Sequence, residues 1–182
     1  MFTIFIDPPD LLPHLDDPNW AVVDCRFKLE DAEAGRRAYR EAHIPGAVFA
    51  HLDYDLSGPK TGRNGRHPLP DPDTLRGTFS AMGISESTQV IAYDDMKGGL
   101  AAARAWWLLR YMGHRFAAVL HGSWQSWVAA RYPVRSGEES REAAQFIGHP
   151  HPLMIVDADS VSSLAASPDW ALIDSRVAAR YR

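Results

Sequence analysis

The residues best placed for chemistry follow an apolar segment in the middle of the chain. Residues 89–93 read Gln-Val-Ile-Ala-Tyr, and an apolar helical pattern begins at Leu100. Six residues join these two segments: Asp94, Asp95, Met96, Lys97, Gly98 and Gly99. Backbone N–H groups of a glycine-containing loop at the start of a helix form a cradle for an anion. The crevice beyond the ends of parallel strands is also the usual ligand site of an open α/β sheet. The spacing is therefore typical of an active-site loop.

The side chains of this loop do not suit that position. Asp94 and Asp95 stand at its mouth, where their carboxylates would repel an anion and are poor nucleophiles for sulfur chemistry. The sequence G-x-x-x-x-G-K-[ST] is absent, so a nucleotide P-loop is unsupported. A phosphate-accepting Asp94 is an alternative, but no acidic metal-binding constellation accompanies it in the sequence. We therefore interpret residues 94–99 as a degenerate active-site loop.

Cys25 is the single thiol of the chain. It is either a sulfur carrier or a small buried side chain, the commoner role of a free cysteine. We favour the structural role, because an internal repeat places Ser175 at the equivalent position. One cysteine cannot form an internal disulfide framework, which agrees with a reducing compartment and a cytoplasmic location.

The secondary structure of the chain determines which of these side chains come together. Along the sequence, apolar segments alternate with helical patterns. Strands are predicted at 21–24, 47–50, 89–93 and 117–120, and helices at 34–42, 72–82, 100–112 and 124–130. This alternation predicts an α/β fold with a mainly parallel sheet. Residues 56–73 contain too many Gly and Pro for regular structure, and a long ordered loop is more often functional than idle.

Residues 18–26 recur 150 positions later, at 168–176, with Pro, Trp, Ala, Asp and Arg in register. A repeat this long predicts tandem domains. We expect a complete first domain over 1–135, a polar interdomain linker over 136–152, and the truncated start of a second domain over 153–182. Strands are predicted near 153–156 and 171–174 in this second copy.

Composition excludes several classes of protein. Hydrophobic residues make up 46% and charged residues 23%, with a net charge of -4, so we expect a globular protein without a nucleic-acid footprint. No membrane-spanning run or signal-peptide core occurs, so a membrane partner is not expected. His149 and His151 lack other nearby soft ligands, so we expect no metal and no cofactor.

Several motifs together resemble a rhodanese domain over about residues 5–135. They are Asp24-x-Arg26, the string around His43-Ile44-Pro45-Gly46-Ala47, the segment from Arg104 to Arg110, and the string 121–127. The resemblance implies a central, mainly parallel sheet flanked by helices on both faces. The closer resemblance is to the N-terminal half of two-domain sulfurtransferases. In that family the C-terminal copy carries a persulfide on a cysteine, and the N-terminal copy usually has Asp at the equivalent place, as Asp94 does here.

The resemblance also implies site residues. Asp55 and His67 occupy the positions of a carboxylate and an imidazole that complete a proton relay with a Ser of the other domain, and proton transfer near neutrality suits an imidazole. A solvated loop histidine is the alternative for His67. Arg180, followed by Tyr181, occupies the position of an arginine that grips the anionic substrate, as a planar guanidinium can. Asp24 and Arg26 are expected to form a structural ion pair.

Two hypotheses about function follow. The first is part of a sulfurtransferase that moves sulfane sulfur from a small anionic donor, thiosulfate or 3-mercaptopyruvate, to cyanide or a thiol. The persulfide would then form on a cysteine of the missing C-terminal domain, the intramolecular partner, and these 182 residues would be inactive alone. The second is a non-catalytic binding or regulatory module. The duplicated Asp-x-Arg segment favours the first.

Overall fold

The structure is a computed structural model that describes residues 1–176 and 178–182, and of Arg180 only the backbone. Five strands form one sheet: β1 (Phe5–Ile6), β2 (Trp20–Asp24), β3 (Val48–Phe49), β4 (Gln89–Tyr93) and β5 (Ala117–Leu120). Seven α-helices are described: α1 (Pro8–Leu11), α2 (Ala34–Glu41), α3 (Pro72–Ala81), α4 (Ala101–Tyr111), α5 (Ser123–Ala129), α6 (Ala158–Leu164) and α7 (Ala178–Tyr181).

The sheet is parallel throughout, with strand order β1-β5-β4-β2-β3. The predicted α/β fold with a mainly parallel central sheet is therefore confirmed. From the central neighbours β2 and β4, the chain leaves toward opposite edges, to β3 through α2 and to β5 through α4. Because such crossovers are right-handed, α2 and α4 cover opposite faces of the sheet. The carboxyl ends of β2 and β4 thus form the switch point at which open α/β sheets bind ligands.

The central strands are buried on both faces, as expected for a parallel sheet. In β4 every side chain is buried, and Ile91 and Tyr93 alternate with Val90 and Ala92 across the two faces. Ile91 and Tyr93 join a core cluster with residues from β1, α1, β2, β5, α5 and the segment between α2 and β3: Ile6, Leu11, Val22, Ile44, Ala47, Ala118, Leu120 and Trp127.

The chain divides into two compact units, Met1–Pro150 and His151–Arg182. Most of the predicted linker lies along the first unit. Phe146 is 3% exposed, its ring centroid lies 5.1 Å from that of Phe79, and its N–H donates to Ser80 Oγ at 3.0 Å. Polar composition predicted a segment between domains, but one buried aromatic residue anchors it to the surface of the first.

The second unit contains α6 and α7 but no strand within residues 151–176 and 178–182. The strands expected near 153–156 and 171–174 are therefore not formed among the described residues of this unit. A strand requires a hydrogen-bonded neighbour, and the unit supplies too few segments for a sheet. No helix among the described residues has the length and apolarity required to span a membrane.

Candidate functional site

A buried ion pair lies at the ends of β2 and β4. Arg26 Nε donates to Asp24 Oδ2 at 2.9 Å and Nη2 donates to the same oxygen at 2.6 Å. The Tyr93 hydroxyl also donates to Asp24 Oδ2, at 2.6 Å. Burial, followed by the negative charge of Asp24, raises the pKa of Tyr93 well above its usual value. These groups satisfy one another, which supports the structural role expected for Asp24 and Arg26.

Two further contacts fix Arg26. Its Nη2 donates to the carbonyl of Ala42 at 2.6 Å, and its guanidinium carbon lies 4.4 Å from the centre of the Trp124 ring. Gly35 lets α2 approach the backbone here, since a Cβ at that position would lie only 1.7 Å from the Arg26 carbonyl oxygen. Arg26 is therefore committed to the fold and is not free to bind an anion.

The predicted anion cradle exists, and the carboxylate of Asp94 fills it. Asp94 Oδ1 accepts hydrogen bonds from the N–H groups of Met96 and Gly98, each at 2.8 Å. Oδ2 accepts from the N–H groups of Leu100 and Ala102, each at 3.2 Å. Asp94 is completely buried. The sequence correctly located the cradle, but the carboxylate is its occupant and not an obstacle at its mouth.

Ser123, at the start of α5, holds the backbone of Asp94 in place. Its hydroxyl donates to the Asp94 carbonyl at 2.5 Å and accepts from the Asp94 N–H at 2.9 Å. Its backbone is left-handed, with φ 59°, a strained conformation for a residue with a Cβ. In the sequence, Ser123 stood within the string 121–127 but was given no role of its own, and the Gly122-Ser123 pair before a helix was the available signal.

The rest of the loop is more exposed. Met96 is 60% exposed, and Lys97 and Gly98 have left-handed backbones with φ 58° and 78°. Asp95 is partly buried, and this burial raises its pKa. Gly99 donates its N–H to the Met96 carbonyl at 3.1 Å. The loop is thus a closed turn built around the carboxylate of Asp94.

His67 faces Asp53, not the expected Asp55. His67 Nε2 lies 3.4 Å from Asp53 Oδ1, and Lys60 Nζ donates to the same oxygen at 3.0 Å. The Asp55 carboxylate instead folds back and accepts the His51 N–H at 2.7 Å. Within the described residues, the carboxylate that pairs with His67 is therefore Asp53, and the expected pairing with Asp55 is corrected. Both acids follow the same predicted strand, and sequence alone could not choose between them.

The surroundings of His67 favour its neutral form. Partial burial lowers the pKa of His67, while Asp53 raises it and the cations Arg104, Lys60 and Arg66 lower it. The net shift is downward from the usual value. A neutral imidazole near pH 7 can accept a proton, and the adjacent carboxylate can stabilise the imidazolium that results.

Cys25 lies beneath the switch point as an unreactive thiol. It is 0% exposed. Burial, and then the charges of Asp24, Asp94 and Asp55, raise the pKa of the Cys25 thiol well above its usual value. The thiolate is the nucleophilic form of cysteine, so this environment opposes reactivity. Its burial and pKa support the structural interpretation.

The second unit repeats the local pairing of the first. The Arg176 N–H donates to Asp174 Oδ1 at 2.9 Å, as the Arg26 N–H does to Asp24 Oδ1. Arg176 and Asp174 are solvent-exposed, in contrast to the buried first pair. The side chain of Arg180 lies outside the described part of the structure, so its role stays a prediction. Residues 1–176 and 178–182 bring together no group of three or more His, Cys, Asp or Glu side chains suited to a metal.

Comparison with known proteins identifies relatives over most of the chain. A family model described as the rhodanese-like domain matches residues 7–130. The chain is 43% identical over 174 residues to the probable 3-mercaptopyruvate sulfurtransferase of Pseudomonas aeruginosa, a match that covers 94% of this chain and 61% of that protein. It is 30% identical over 167 residues to the thiosulfate sulfurtransferase of Cricetulus griseus, covering 90% of this chain and 54% of that protein.

Solved structures give the same picture. SseA from Escherichia coli, described as a 3-mercaptopyruvate sulfotransferase, superposes with a TM-score of 0.87 at 27% identity, over 99% of this chain and 68% of that one. A 3-mercaptopyruvate sulfurtransferase from Leishmania major superposes with a TM-score of 0.72 at 31% identity, over 81% of this chain and 40% of that one. The chain spans between 54% and 61% of the two curated relatives above.

Proposed function

This chain belongs to the rhodanese family, and on that premise we propose that it provides the copy without a sulfur carrier in a two-copy sulfurtransferase. Its homologues include sulfurtransferases named for 3-mercaptopyruvate and for thiosulfate. The proposed reaction transfers a sulfur atom from such a small anionic donor to a thiophilic acceptor, cyanide or a thiol. The persulfide forms on a cysteine of a second copy, of which residues 151–182 are the beginning.

The occupied cradle carries this proposal. A sulfur-carrying loop needs a nucleophilic thiol with its backbone N–H groups turned toward the anionic donor. Here the Asp94 carboxylate takes four of those N–H groups, and the single thiol, Cys25, is buried. The first copy therefore has neither the nucleophile nor a vacant anion site, and the 182 residues are inactive alone.

The second unit supports the existence of a further copy. Val22 and Val23 in β2 are each 3% exposed, whereas their repeat counterparts Leu172 and Ile173 are 76% and 81% exposed. Apolar residues with this spacing suit a buried strand. In the proposed whole protein, residues 171–174 become a strand of the second sheet.

The site residues then take separate roles. His67, paired with Asp53, accepts and returns a proton at the face of the first copy, while Asp55 shapes the turn that carries Asp53. Arg180 grips the anionic group of the donor through two parallel hydrogen bonds. The 43% identity to a probable 3-mercaptopyruvate sulfurtransferase supports 3-mercaptopyruvate as the donor.

A sulfur-transfer assay on the 182-residue chain tests the proposal. The chain and its Cys25→Ser variant are incubated with each donor and with cyanide, and thiocyanate is measured, with the Pseudomonas aeruginosa relative as positive control. We expect no turnover from either form. Turnover by the chain that disappears with Cys25→Ser would make Cys25 the sulfur carrier. Turnover that survives in Cys25→Ser would contradict inactivity without identifying a carrier.

A further inference from the structure

We propose that His51 is a positioning residue, whose neutral imidazole holds the turn that presents Asp53 to His67. The consequence for sulfur transfer rests on the function proposed above, whereas the geometry does not. His51 follows β3 and is 1% exposed. Nothing in its motif suggested a role, because the chemistry appears only when the turn is folded.

The two ring nitrogens of His51 have different partners, and these define its protonation. Nδ1 lies 3.1 Å from the backbone nitrogen of Asp53 and accepts its N–H. That nitrogen therefore carries no proton, and the ring proton lies on Nε2, which donates to the carbonyl of Ala32 at 3.0 Å. Glu33 Oε1, at 3.7 Å, is the carboxylate nearest to the same nitrogen. Each nitrogen satisfies one backbone group.

The backbone of His51 closes the other side of the turn. Its N–H donates to Asp55 Oδ2 at 2.7 Å, and its carbonyl accepts the N–H groups of Asp55 at 2.9 Å and Leu56 at 3.1 Å. Asp53 therefore lies in a turn in which Asp53, Asp55 and Leu56 all hydrogen-bond to His51. This arrangement fixes the Asp53 carboxylate 3.4 Å from His67 Nε2.

Aromatic rings prevent the His51 side chain from rotating away. The Phe27 ring meets His51 edge-on at 5.5 Å between centroids and meets His67 in the same way at 6.1 Å. The Tyr54 ring also stacks on His51, at 4.2 Å between centroids. Phe27 thus packs against both imidazoles. A shift of His51 would therefore displace both Asp53 and His67.

The basicity of His67 reports the position of Asp53. Asp53 is the group that raises the pKa of His67 against the effect of burial. If the turn relaxes and the carboxylate moves away, the pKa of His67 falls further, because Arg104, Lys60 and Arg66 remain. A residue that only fills space at position 51 would not produce this shift.

The experiment is an NMR titration of the histidines in the 182-residue chain. An Asn side chain carries its amide near the position of His Nδ1, and a Gln side chain carries its amide near Nε2. His51→Asn can therefore still accept the Asp53 N–H, whereas His51→Gln keeps only the donor to Ala32. We expect His51→Gln to lower the pKa of His67 by most of the shift seen in Asp53→Asn, and His51→Asn to leave it close to wild type.

Equal pKa values of His67 in His51→Asn and His51→Gln would overturn the proposal. So would ring ¹⁵N shifts placing the proton of wild-type His51 on Nδ1, a measurement that requires no variant to fold. The thiocyanate assay is independent of both. If the chain proves active while His67 responds as expected, the proposed function fails and the positioning role of His51 stands.

Discussion

Arg104, near the start of α4, donates a hydrogen bond from Nε to the carbonyl of Leu56 at 2.6 Å. Its Nη2 donates to the carbonyl of Pro68 at 2.8 Å. One guanidinium therefore ties together both ends of the loop that carries His67. The same helix begins at the cradle, where the Ala102 N–H bonds to the carboxylate of Asp94. The degenerate loop and the His67 loop are thus anchored to one helical turn.

Arg104→Leu should free the His67 loop. The variant loses two hydrogen bonds from a charged donor, each of which contributes about 1.5–3 kcal/mol. The loop contains the exposed trypsin sites Lys60, Arg63 and Arg66. We expect faster tryptic cleavage there, read by mass spectrometry, and a higher pKa of His67, because a lowering cation is removed.

Arg104→Lys is the matched control, because it keeps the charge and loses the planar fork. It should raise cleavage less than Arg104→Leu and leave the pKa of His67 nearly unchanged. Cleavage rates for Arg104→Leu equal to wild type would show that the two bonds do not hold the loop.

The internal repeat provides a matched pair for a test of the buried ion pair. Arg26→Met leaves the Asp24 carboxylate buried without its cation, which in general costs about 3–5 kcal/mol of unfolding free energy. Arg176→Met removes the same residue from a solvent-exposed pair of the same local geometry. We expect a large loss of stability in urea for the first variant and no measurable change for the second. Comparable losses would contradict the assignment.

One buried imidazole and one partly buried imidazole should make stability fall in mild acid. His114 is 4% exposed, and burial lowers its pKa, as it does for His67. Their pKa values when unfolded are about 6.5, so the unfolded chain binds more protons as the pH falls through that range. The unfolding free energy should therefore decline below about pH 6.5.

Urea denaturation of the wild type and of His114→Gln at several pH values checks this dependence. The variant should have a shallower decline as the pH falls below about 6.5, where the unfolded imidazole starts to bind a proton that the folded one, with its lowered pKa, does not yet bind. Above pH 7.5 the two curves should run parallel, because the imidazole is neutral in both states. An unchanged dependence of unfolding free energy on pH in the variant would show that His114 does not contribute to the decline.

The strands that sequence predicted well have clear local boundaries. β4 and β5 have the predicted bounds, because residues 90–93 and 117–120 are continuous apolar runs that end at a polar residue, Asp94 and His121 respectively. β1 was missed because it has only two residues and Pro8 follows soon after. Its identity as a strand depends on pairing with β5, a contact between distant parts of the chain that local pattern does not encode.

The site shows the same limit at the level of single side chains. The position of the cradle followed from a strand, a glycine loop and a helix in succession. What fills it did not follow, because Asp94 is read as a repelling charge until its four N–H donors are in place. The choice between Asp53 and Asp55 likewise depends on how the turn after His51 closes.

Asp94→Asn should destabilise the chain strongly. The amide keeps one oxygen as an acceptor and turns an NH₂ group toward two of the four backbone donors. Each buried donor left without a partner costs about 1–3 kcal/mol, so we expect a loss of at least about 2 kcal/mol in urea denaturation. A change within about 0.5 kcal/mol, the range of neutral surface substitutions, would contradict the geometry.

Asp95→Asn is the control for that loss, because it makes the same chemical change one residue later. Burial raises the pKa of Asp95, so its charge is disfavoured in the folded chain. Removing the charge at pH 7, above the usual carboxyl range, should leave stability unchanged or slightly higher. A loss as large as that of Asp94→Asn would point to a general intolerance of the loop and not to the cradle.

Asp94→Cys should place a reactive thiol in the cradle. Backbone N–H groups at a helix start stabilise a thiolate and lower its pKa, whereas burial raises the pKa of Cys25. Position 94 is buried but lies in a loop that is exposed at Met96, so we expect iodoacetamide at neutral pH to label the folded variant faster at position 94 than at Cys25, which should stay unmodified until urea unfolds the chain. Mass spectrometry of the double variant Asp94→Cys, Cys25→Ser locates the label. The single variant Cys25→Ser, which has no thiol, is the blank. Rapid labelling of Cys25 in the folded wild type would overturn its structural role, and with it the reason for assigning the sulfur carrier to a second copy.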